Sequence, residues 1–356
     1  MIRLGYACIN STISESHKIC CNKTCRLNTA ISKGENSGYP QTDKRYSRAI
    51  YDFLTDISIK NLEAVYKILA WSKNNNIFFY RMSSDMFPHL ANEKIREHLT
   101  TEDWNNYNNL VFAYDIIFDI GKYAQKYNMR LTMHPDHFNQ LGSKNTDVVK
   151  NTFSDLFWHA KLLDLLEEGA QSYIIYSKQK DVNYNKENVL KDGILCIHGG
   201  GTYGDKNSAI ERWKDSFNKL PENVKRRVCL ENCEKGYNVE DLLPICEELN
   251  IPLIFDFHHY ACWRYYHEEN GDQKDIKILL PRILKTWEKR QIIPKFHLSD
   301  QADDKKVGAH HDYVENIPNE LIDLFKSGYK FDIMIEAKKK ELAVMKLYKK
   351  YADFFS

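Results

Sequence analysis

The chain has 356 residues, of which 43% are hydrophobic and 28% are charged. These values are ordinary for a globular protein, and they exclude a collagenous, low-complexity or mainly disordered chain. The formal net charge is +1, so no overall electrostatic attraction draws the protein to nucleic acid or to acidic lipid. Binding to either would require a local site.

No apolar run approaches the roughly 18 residues of a membrane span, and no basic segment followed by an apolar signal core opens the chain. We therefore expect an intracellular protein without a membrane partner, cytoplasmic or, in a eukaryote, nuclear. The nine cysteines are an odd number, which argues against a disulfide framework. Cys8, Cys20, Cys21 and Cys25 cluster but lack the C-x-x-C spacing of a zinc site, so we expect reduced thiols.

Short β-rich runs alternate with helical patterns along the chain, which predicts parallel strands joined by helical crossovers. Eight strands are predicted, at residues 2–6, 77–81, 130–134, 194–198, 227–231, 252–256, 295–298 and 332–336. Helical patterns cover residues 61–73, 104–127, 148–168, 208–219, 239–249, 276–290, 319–326 and 340–351. Eight such units close into a (β/α)8 TIM barrel, which we expect to form one domain over residues 1–356 rather than two.

Two stretches depart from this alternation. Residues 7–45 are polar and predict a long loop after the first strand, where barrel enzymes place functional loops. Residues 171–193 predict a polar insertion before the fourth strand.

Residues of metal-ligand type stand at the carboxyl ends of six predicted strands. In a barrel these ends meet at one mouth, so residues far apart in sequence share one cavity. Three imidazoles and three carboxylates there predict a site for more than one divalent cation. The six residues are His134, His198, Glu231, Asp256, His297 and Glu336.

Two neighbouring segments extend this set. His259 follows Asp256 at a spacing of three and can turn toward the same cavity, whereas His258 is expected to point away. His310, in the loop after the seventh strand, is a further candidate ligand, and His311 is its alternative. This segment could also be an ordinary surface loop without a ligand.

Lys206 and Lys295 are the lysines of interest. Lys206 follows a glycine-rich strand-to-helix turn at residues 199–201, from which it could reach a phosphate, although a simple tight turn explains the glycines equally well. Lys295 lies two residues before His297 and therefore shares its strand face. An ammonium there would be repelled by cations, unless the strand end twists and the lysine reaches solvent.

Motifs along the whole chain resemble the UV damage endonuclease family, structural relatives of endonuclease IV. The matching segments are RLGYACIN (3–10), YRMSSDMFPH (80–89), MHPDHF (133–138), HGGGTYGDK (198–206), LEN (230–232), IPLIFDFHH (251–259), KFHLS (295–299), AHHD (309–312) and IMIEAKKKE (333–341).

The resemblance implies a metal-dependent DNA-repair enzyme that nicks double-stranded DNA immediately 5′ to UV photoproducts and other distortions, leaving a 3′-hydroxyl and a 5′-phosphate. It implies about three cations, commonly manganese, a carboxylated Lys295, and a DNA probe formed by Tyr6, Asn10, His137 and Phe138. The metal ligands would be His134, His198, Glu231, Asp256, His259, His297, His310 and Glu336, with His89 as a further candidate. We assign catalytic roles to Glu231, Asp256, Glu336, Lys295 and Lys206.

One segment departs from the family pattern. The family motif usually carries Gln-Tyr where this chain has His137 and Phe138, which leaves its lesion preference open. The alternatives are a divalent-metal sugar isomerase or epimerase on the same barrel, and a DNA-distortion binder without activity. We expect a monomer.

Overall fold

The computed structural model describes residues 2–13, 19–180, 182–267 and 273–355. Part of the predicted loop at 7–45, namely residues 14–18, lies outside the described residues. The strands are β1 (Arg3–Ala7), β2 (Ile9–Asn10), β3 (Ile19–Cys20), β4 (Phe79–Met82), β5 (Arg130–Met133), β6 (Leu195–His198), β7 (Val228–Glu231), β8 (Leu253–Asp256), β9 (Lys295–Leu298) and β10 (Asp332–Ile335).

Eight of these strands form a closed parallel barrel, in the order β1, β10, β9, β8, β7, β6, β5, β4, and β1 pairs with β4 to complete it. The two short strands β2 and β3 form a separate antiparallel pair. The eight barrel strands are those expected from the sequence, with bounds that differ by at most two residues. The predicted (β/α)8 barrel is therefore confirmed, while its description as one domain stays a prediction.

Helices surround the barrel. They are α1 (Leu27–Glu35), α2 (Lys44–Asn74), α3 (Glu93–Arg96), α4 (Thr101–Asn108), α5 (Tyr114–Lys126), α6 (Thr146–Gln179), α7 (Lys206–Asn218), α8 (Glu222–Lys225), α9 (Val239–Leu249), α10 (Phe257–Tyr266), α11 (Ile276–Glu288), α12 (Asn319–Lys326), α13 (Lys340–Lys350) and α14 (Ala352–Phe355). Short 3-10 helices cover Val111–Ala113 and Val189–Asp192. Among the described residues, no helix is both long enough and apolar enough to cross a bilayer.

The segment after the first strand is more structured than expected. It holds the β2–β3 pair and α1, and α2 begins at Lys44 instead of near residue 61. Asp43 caps α2 by accepting a hydrogen bond from the backbone N–H of Arg45. Ile50 and Leu54 then continue a buried stripe at helical spacing, which explains the longer helix.

Two other helix predictions also needed correction. The helix predicted at 104–127 is two helices, α4 and α5, because Leu110 adopts a left-handed backbone conformation with φ of 57° between them. The insertion predicted at 171–193 is partly helical, since α6 continues to Gln179 and buries Ser177.

A buried ion network closes the amino-terminal end of the barrel. Asp332, the first residue of β10, accepts hydrogen bonds from Arg3 on β1 (Nε to Oδ1, 2.8 Å) and from Arg130 on β5 (Nη1 to Oδ2, 2.8 Å). All three side chains are buried. Burial opposes the charge of Asp332, but the two guanidinium groups lower the pKa of its carboxyl below the ordinary value.

We expect Asp332→Asn to lower the free energy of unfolding by about 3–5 kcal/mol, because it leaves two buried cations without their counter-charge. Urea denaturation at neutral pH measures this loss. The pKa of Asp332 is lower in the folded protein than in the unfolded chain, where it is about 3.9. The contribution of Asp332 to the free energy of unfolding is therefore complete above a pH of about 3.9, and it is lost as the pH falls through the pKa of the folded protein.

The matched control is Asp119→Asn, which removes an exposed pair with Lys122 (3.2 Å) and should cost less than about 1 kcal/mol. Equal losses in the two variants would contradict a structural role for the buried network.

Candidate metal centre

The six strand-end residues meet at the carboxyl end of the barrel. His198 and Glu231 end β6 and β7, Asp256 ends β8, and His297 lies within β9. His134 and Glu336 follow β5 and β10 directly. Neighbouring strands place these residues side by side, since His198 pairs in register with Glu231, and Asp256 with His297. His134, His198, Glu231 and Glu336 line an open cavity of about 860 Å³, and Asp256 and His297 are fully buried.

Glu231 is the centre of this arrangement. Its Oε1 lies 2.8 Å from His297 Nδ1 and 3.7 Å from His259 Nδ1. Its Oε2 lies 3.2 Å from His134 Nε2 and 3.9 Å from His198 Nε2. One buried carboxylate is therefore within 4 Å of four imidazoles, which come from three barrel strand ends and a helix.

The donor atoms fall into three compact groups, and the donors within each group lie within 4.8 Å of one another. One group holds His134, Cys196 and Glu231; the second holds Glu231, Asp256 and His259; the third holds Asp256, His297 and Glu336. Glu231 and Asp256 each belong to two groups, so they are placed to bridge neighbouring cations. Mixed nitrogen and oxygen donors of this kind suit divalent transition metals.

The connection between β7 and β8 holds Asp256 in place. Its backbone N–H donates to Asn232 Oδ1 (2.9 Å), while Asn232 Nδ2 donates to the Asp256 carbonyl (3.1 Å). Asp256 Oδ1 then caps α10 by accepting from the backbone N–H of His259 (2.7 Å). The remaining oxygen, Oδ2, is buried and has no hydrogen-bond partner in the described part of the chain.

Orphaned buried atoms of this kind are costly unless a ligand satisfies them. His297 Nε2 and His198 Nδ1 are also buried without a partner among the described residues. Unsatisfied imidazole and carboxylate atoms at one cavity floor are what a bound cation would need, so the residues present fit divalent metals.

The charges of the free site are already balanced in part. Burial opposes the charge of Glu231, but His297 and His198 hold the pKa of that carboxyl well below its ordinary value. Burial lowers the pKa of His198 to about 3, although Glu231 opposes this effect. His259 differs, because Asp256 and Glu231 overcome the effect of burial and raise its pKa to about 10.

Lys295 lies beneath the donor groups and is fully buried. Its Nζ has no hydrogen-bond partner within the described ranges, so the alternative in which this lysine reaches solvent does not occur. Burial is the largest influence on the amine and lowers its pKa to about 8, and Arg81 adds to this effect.

Lys206, His89, Tyr6 and Asn10 belong neither to the donor groups nor to the lining of the cavity. Lys206, the first residue of α7, donates to Asp241 Oδ2 (2.7 Å) and lies over the ring of Trp263, so it does not serve the cavity. His89 Nε2 lies 2.9 Å from the carbonyl of Cys25 in a neighbouring cleft. Its backbone also has a left-handed φ of 60°.

Tyr6 and Asn10 are the other two, and their predicted place at the DNA surface needs correction. The alternation of β1 points Tyr6 outward toward α2, where its hydroxyl lies 2.8 Å from Ser72 Oγ. Asn10 donates to that hydroxyl (2.9 Å) and accepts from the backbone N–H of Ile13 (3.0 Å). Both side chains are fully buried, and they hold the start of the loop that follows β1.

Two of the remaining candidates, His310 and His137, line the cavity, whereas Phe138 lines the neighbouring cleft. His310 lines the cavity and has its ring 5.6 Å from that of His258, without joining a donor group. His137 stacks on His198 with ring centroids 4.9 Å apart. Phe138 projects from the same loop with 82% of its surface exposed, so it is not a core residue.

Three residues of the centre were not found from the sequence. Cys196 donates from Sγ to Glu231 Oε2 (2.7 Å), Arg81 donates to Glu336, and Glu234 Oε2 lies 3.8 Å from His259 Nε2. Cys196 precedes His198 by two residues, so the argument that placed Lys295 beside His297 would have placed Cys196 too. Arg81 lies near the carboxyl end of its strand, which was also a usable signal.

The fold and the site define a (β/α)8 barrel protein with three groups of possible metal ligands at its mouth, among the described residues. The family model described as "UV-endonuclease UvdE" matches residues 2–356, and the chain belongs to this family. It is 37% identical to a protein of Acanthamoeba polyphaga mimivirus, provisionally named a UV-damage endonuclease, over 99% of this chain and 92% of that protein.

Two further comparisons agree with the family. The UV-damage endonuclease of Schizosaccharomyces pombe is 32% identical over 98% of this chain, which spans only half the length of that relative. The crystal structure of SacUVDE superposes with a TM-score of 0.71 at 25% identity, covering 98% of this chain and 99% of the other.

We expect divalent manganese to raise the melting temperature of the metal-free protein by several degrees, because cation binding to the native state stabilises it by about 2.7 kcal/mol at a hundred times the dissociation constant. Glu231→Gln should lose most of this rise, since Glu231 belongs to two donor groups. Differential scanning calorimetry with and without the metal measures both rises.

The control is Asp303→Asn, whose side chain is 92% exposed, and it should keep the full rise. A rise in Glu231→Gln equal to that of the wild type would place the cation elsewhere.

Proposed function

We propose that this protein is a divalent-metal-dependent endonuclease that nicks double-stranded DNA immediately 5′ to UV photoproducts and other distorting lesions. The coarser part of this statement, an endonuclease of DNA repair, follows from membership of the UvdE family. The observation that supports the finer part is the set of three overlapping donor groups at the mouth of the barrel.

Divalent cations held by these groups would activate a nucleophile and neutralise charge on the scissile phosphate. His134, His198, Glu231, Asp256, His259, His297 and Glu336 would hold them, with manganese as the expected metal and about three per chain. Arg81 keeps the Glu336 carboxylate turned into the cavity, and Asn232 fixes the backbone from which Asp256 points. An open cavity of about 860 Å³ leaves room for a DNA backbone.

We include the carboxylation of Lys295 in this proposal. Its Nζ is buried, unpartnered within the described ranges, and on the strand face that carries His297. The neutral amine would add to carbon dioxide and release one proton, which gives an anionic carbamate in place of a cation below the metal ligands. Electron density that continues beyond Nζ in metal-loaded crystals would identify the carbamate, whereas a bare amine there would exclude it.

The sugar isomerase or epimerase alternative is less well supported. Family membership places the chain among DNA-repair endonucleases, and the cavity is open at the barrel mouth. The DNA-distortion binder without activity would not need an intact donor set. Turnover of a sugar, or binding of damaged duplex without nicking, would favour these alternatives.

We expect Asp256→Asn to slow nicking by at least about a hundredfold, because it removes a carboxylate shared by two donor groups. The assay uses a duplex with one pyrimidine dimer at a defined position, in the presence of manganese. Sequencing gels locate the nick and its 3′ end.

The control for this assay is again Asp303→Asn, which should nick at the wild-type rate. Wild-type nicking by Asp256→Asn, or nicking that does not need a divalent cation, would refute the proposed centre.

The lesion is proposed to be detected by Phe138, with His137 beside it. Phe138 is exposed and follows His137, which lines the cavity. An exposed aromatic in this position can insert where a lesion has weakened base stacking, and stacking of a base on an aromatic side chain is worth about 1–3 kcal/mol. The phenyl ring of Phe138 has no hydrogen-bonding group. Of these two side chains, only the imidazole of His137 could therefore form a hydrogen bond to the lesion.

We expect Phe138→Ala to reduce cleavage of dimer-containing duplex by about ten- to a hundredfold, with metal content and melting temperature unchanged. Single-turnover cleavage rates measure the reduction. Tyr176→Ala, which removes an exposed aromatic from α6 away from the cavity, is the control. A large fall in the melting temperature of Phe138→Ala would instead assign Phe138 a structural role.

A further inference from the structure

Cys196 adds a sulfur donor to the donor group that also holds His134 and Glu231, which we call the sulfur corner of the metal centre. It lies on β6 two residues before His198, so its side chain faces the inside of the barrel with that histidine. The side chain is fully buried, and Sγ lies 2.7 Å from Glu231 Oε2. The same carboxylate oxygen lies 3.2 Å from His134 Nε2. A thiol, an imidazole and a carboxylate therefore converge on one point.

This corner differs chemically from the other two donor groups. The groups around Asp256 contain only nitrogen and oxygen atoms, which suit harder cations such as manganese. A sulfur atom beside an imidazole nitrogen and a carboxylate oxygen suits zinc or cobalt, which bind thiolate well. The three groups are therefore not equivalent sites for one metal.

We propose that Cys196 is a metal ligand and that the corner formed by His134, Cys196 and Glu231 binds a cation of the zinc or cobalt class. The proposal rests on the metal centre proposed above and specifies the chemistry of one of its positions. In the free protein the thiol hydrogen is donated to Glu231. Binding forms a metal–sulfur bond, and the thiol proton leaves to solvent.

Cobalt(II) provides the test, because thiolate ligation produces a charge-transfer band in the near ultraviolet that nitrogen and oxygen ligands do not produce. We expect the metal-free wild-type protein to develop this band on titration with cobalt. Cys196→Ser should lose the band and keep the weaker visible bands of cobalt at the remaining ligands.

Cys229 offers a matched control, because it is the register partner of Cys196 on β7 and is equally buried. Its Sγ lies near the carbonyl of Arg227 (3.9 Å) and belongs to none of the donor groups found in the described residues. Cys229→Ser should keep the near-ultraviolet band. A band that survives in Cys196→Ser, or disappears in Cys229→Ser, would overturn the assignment.

X-ray absorption at the zinc edge tests the same claim on the wild-type protein, so it does not depend on how the variants fold. With one zinc per chain, we expect a sulfur neighbour at about 2.3 Å beside nitrogen and oxygen neighbours at about 2.0–2.2 Å. A shell of nitrogen and oxygen alone would reject Cys196 while leaving the metal centre intact. Failure to bind either cobalt or zinc would reject the centre and this inference together.

Discussion

A carboxylate buried at the mouth of the barrel requires compensation, and the arrangement around Glu231 provides it. An ionised carboxylate without partners would be prohibitively costly in this position. Four imidazoles lie within 4 Å of it, delivered by β5, β6, β9 and the first turn of α10. The balance is incomplete, because Asp256 Oδ2 and His297 Nε2 are left without partners in the described structure. The site is thus organised around charge that a cation would complete.

The opposite end of the barrel holds a second buried ion network. The pairing of β1 with both β4 and β10 closes the barrel, and Asp332 joins Arg3 and Arg130 from three strands at its amino-terminal end. At the other end, His198 pairs in register with Glu231, and Asp256 pairs with His297. The network at the amino-terminal end belongs to none of the donor groups found in the described residues, so we assign it a structural role.

Much of the centre could be predicted from the sequence, because strand alternation and the parallel topology bring residues at strand ends together wherever they lie in the chain. His134, Glu231 and Glu336 were found in this way. Residues whose placement depends on loop and helix detail could not be. The left-handed backbone at His89 and the ion pair of Lys206 with Asp241 are local outcomes that the spacing of residues does not contain.

Tyr6 was misplaced for a different reason, since its position in a motif suggested a surface role while strand alternation points it to the core. The helical end of α6 was missed because residues 171–193 were taken together as one polar insertion, although helix α6 continues to Gln179. Cys196 shows the reverse case, because the strand face that it shares with His198 is sufficient to place it beside the candidate ligands.

Anomalous diffraction from crystals soaked in manganese tests the central claim most directly, because it locates cations without relying on activity. We expect peaks at the mouth of the barrel, within roughly 2.0–2.6 Å of carboxylate oxygens of Glu231, Asp256 and Glu336. Absence of any peak there, or peaks confined to the outer surface of the barrel, would contradict the proposed metal centre.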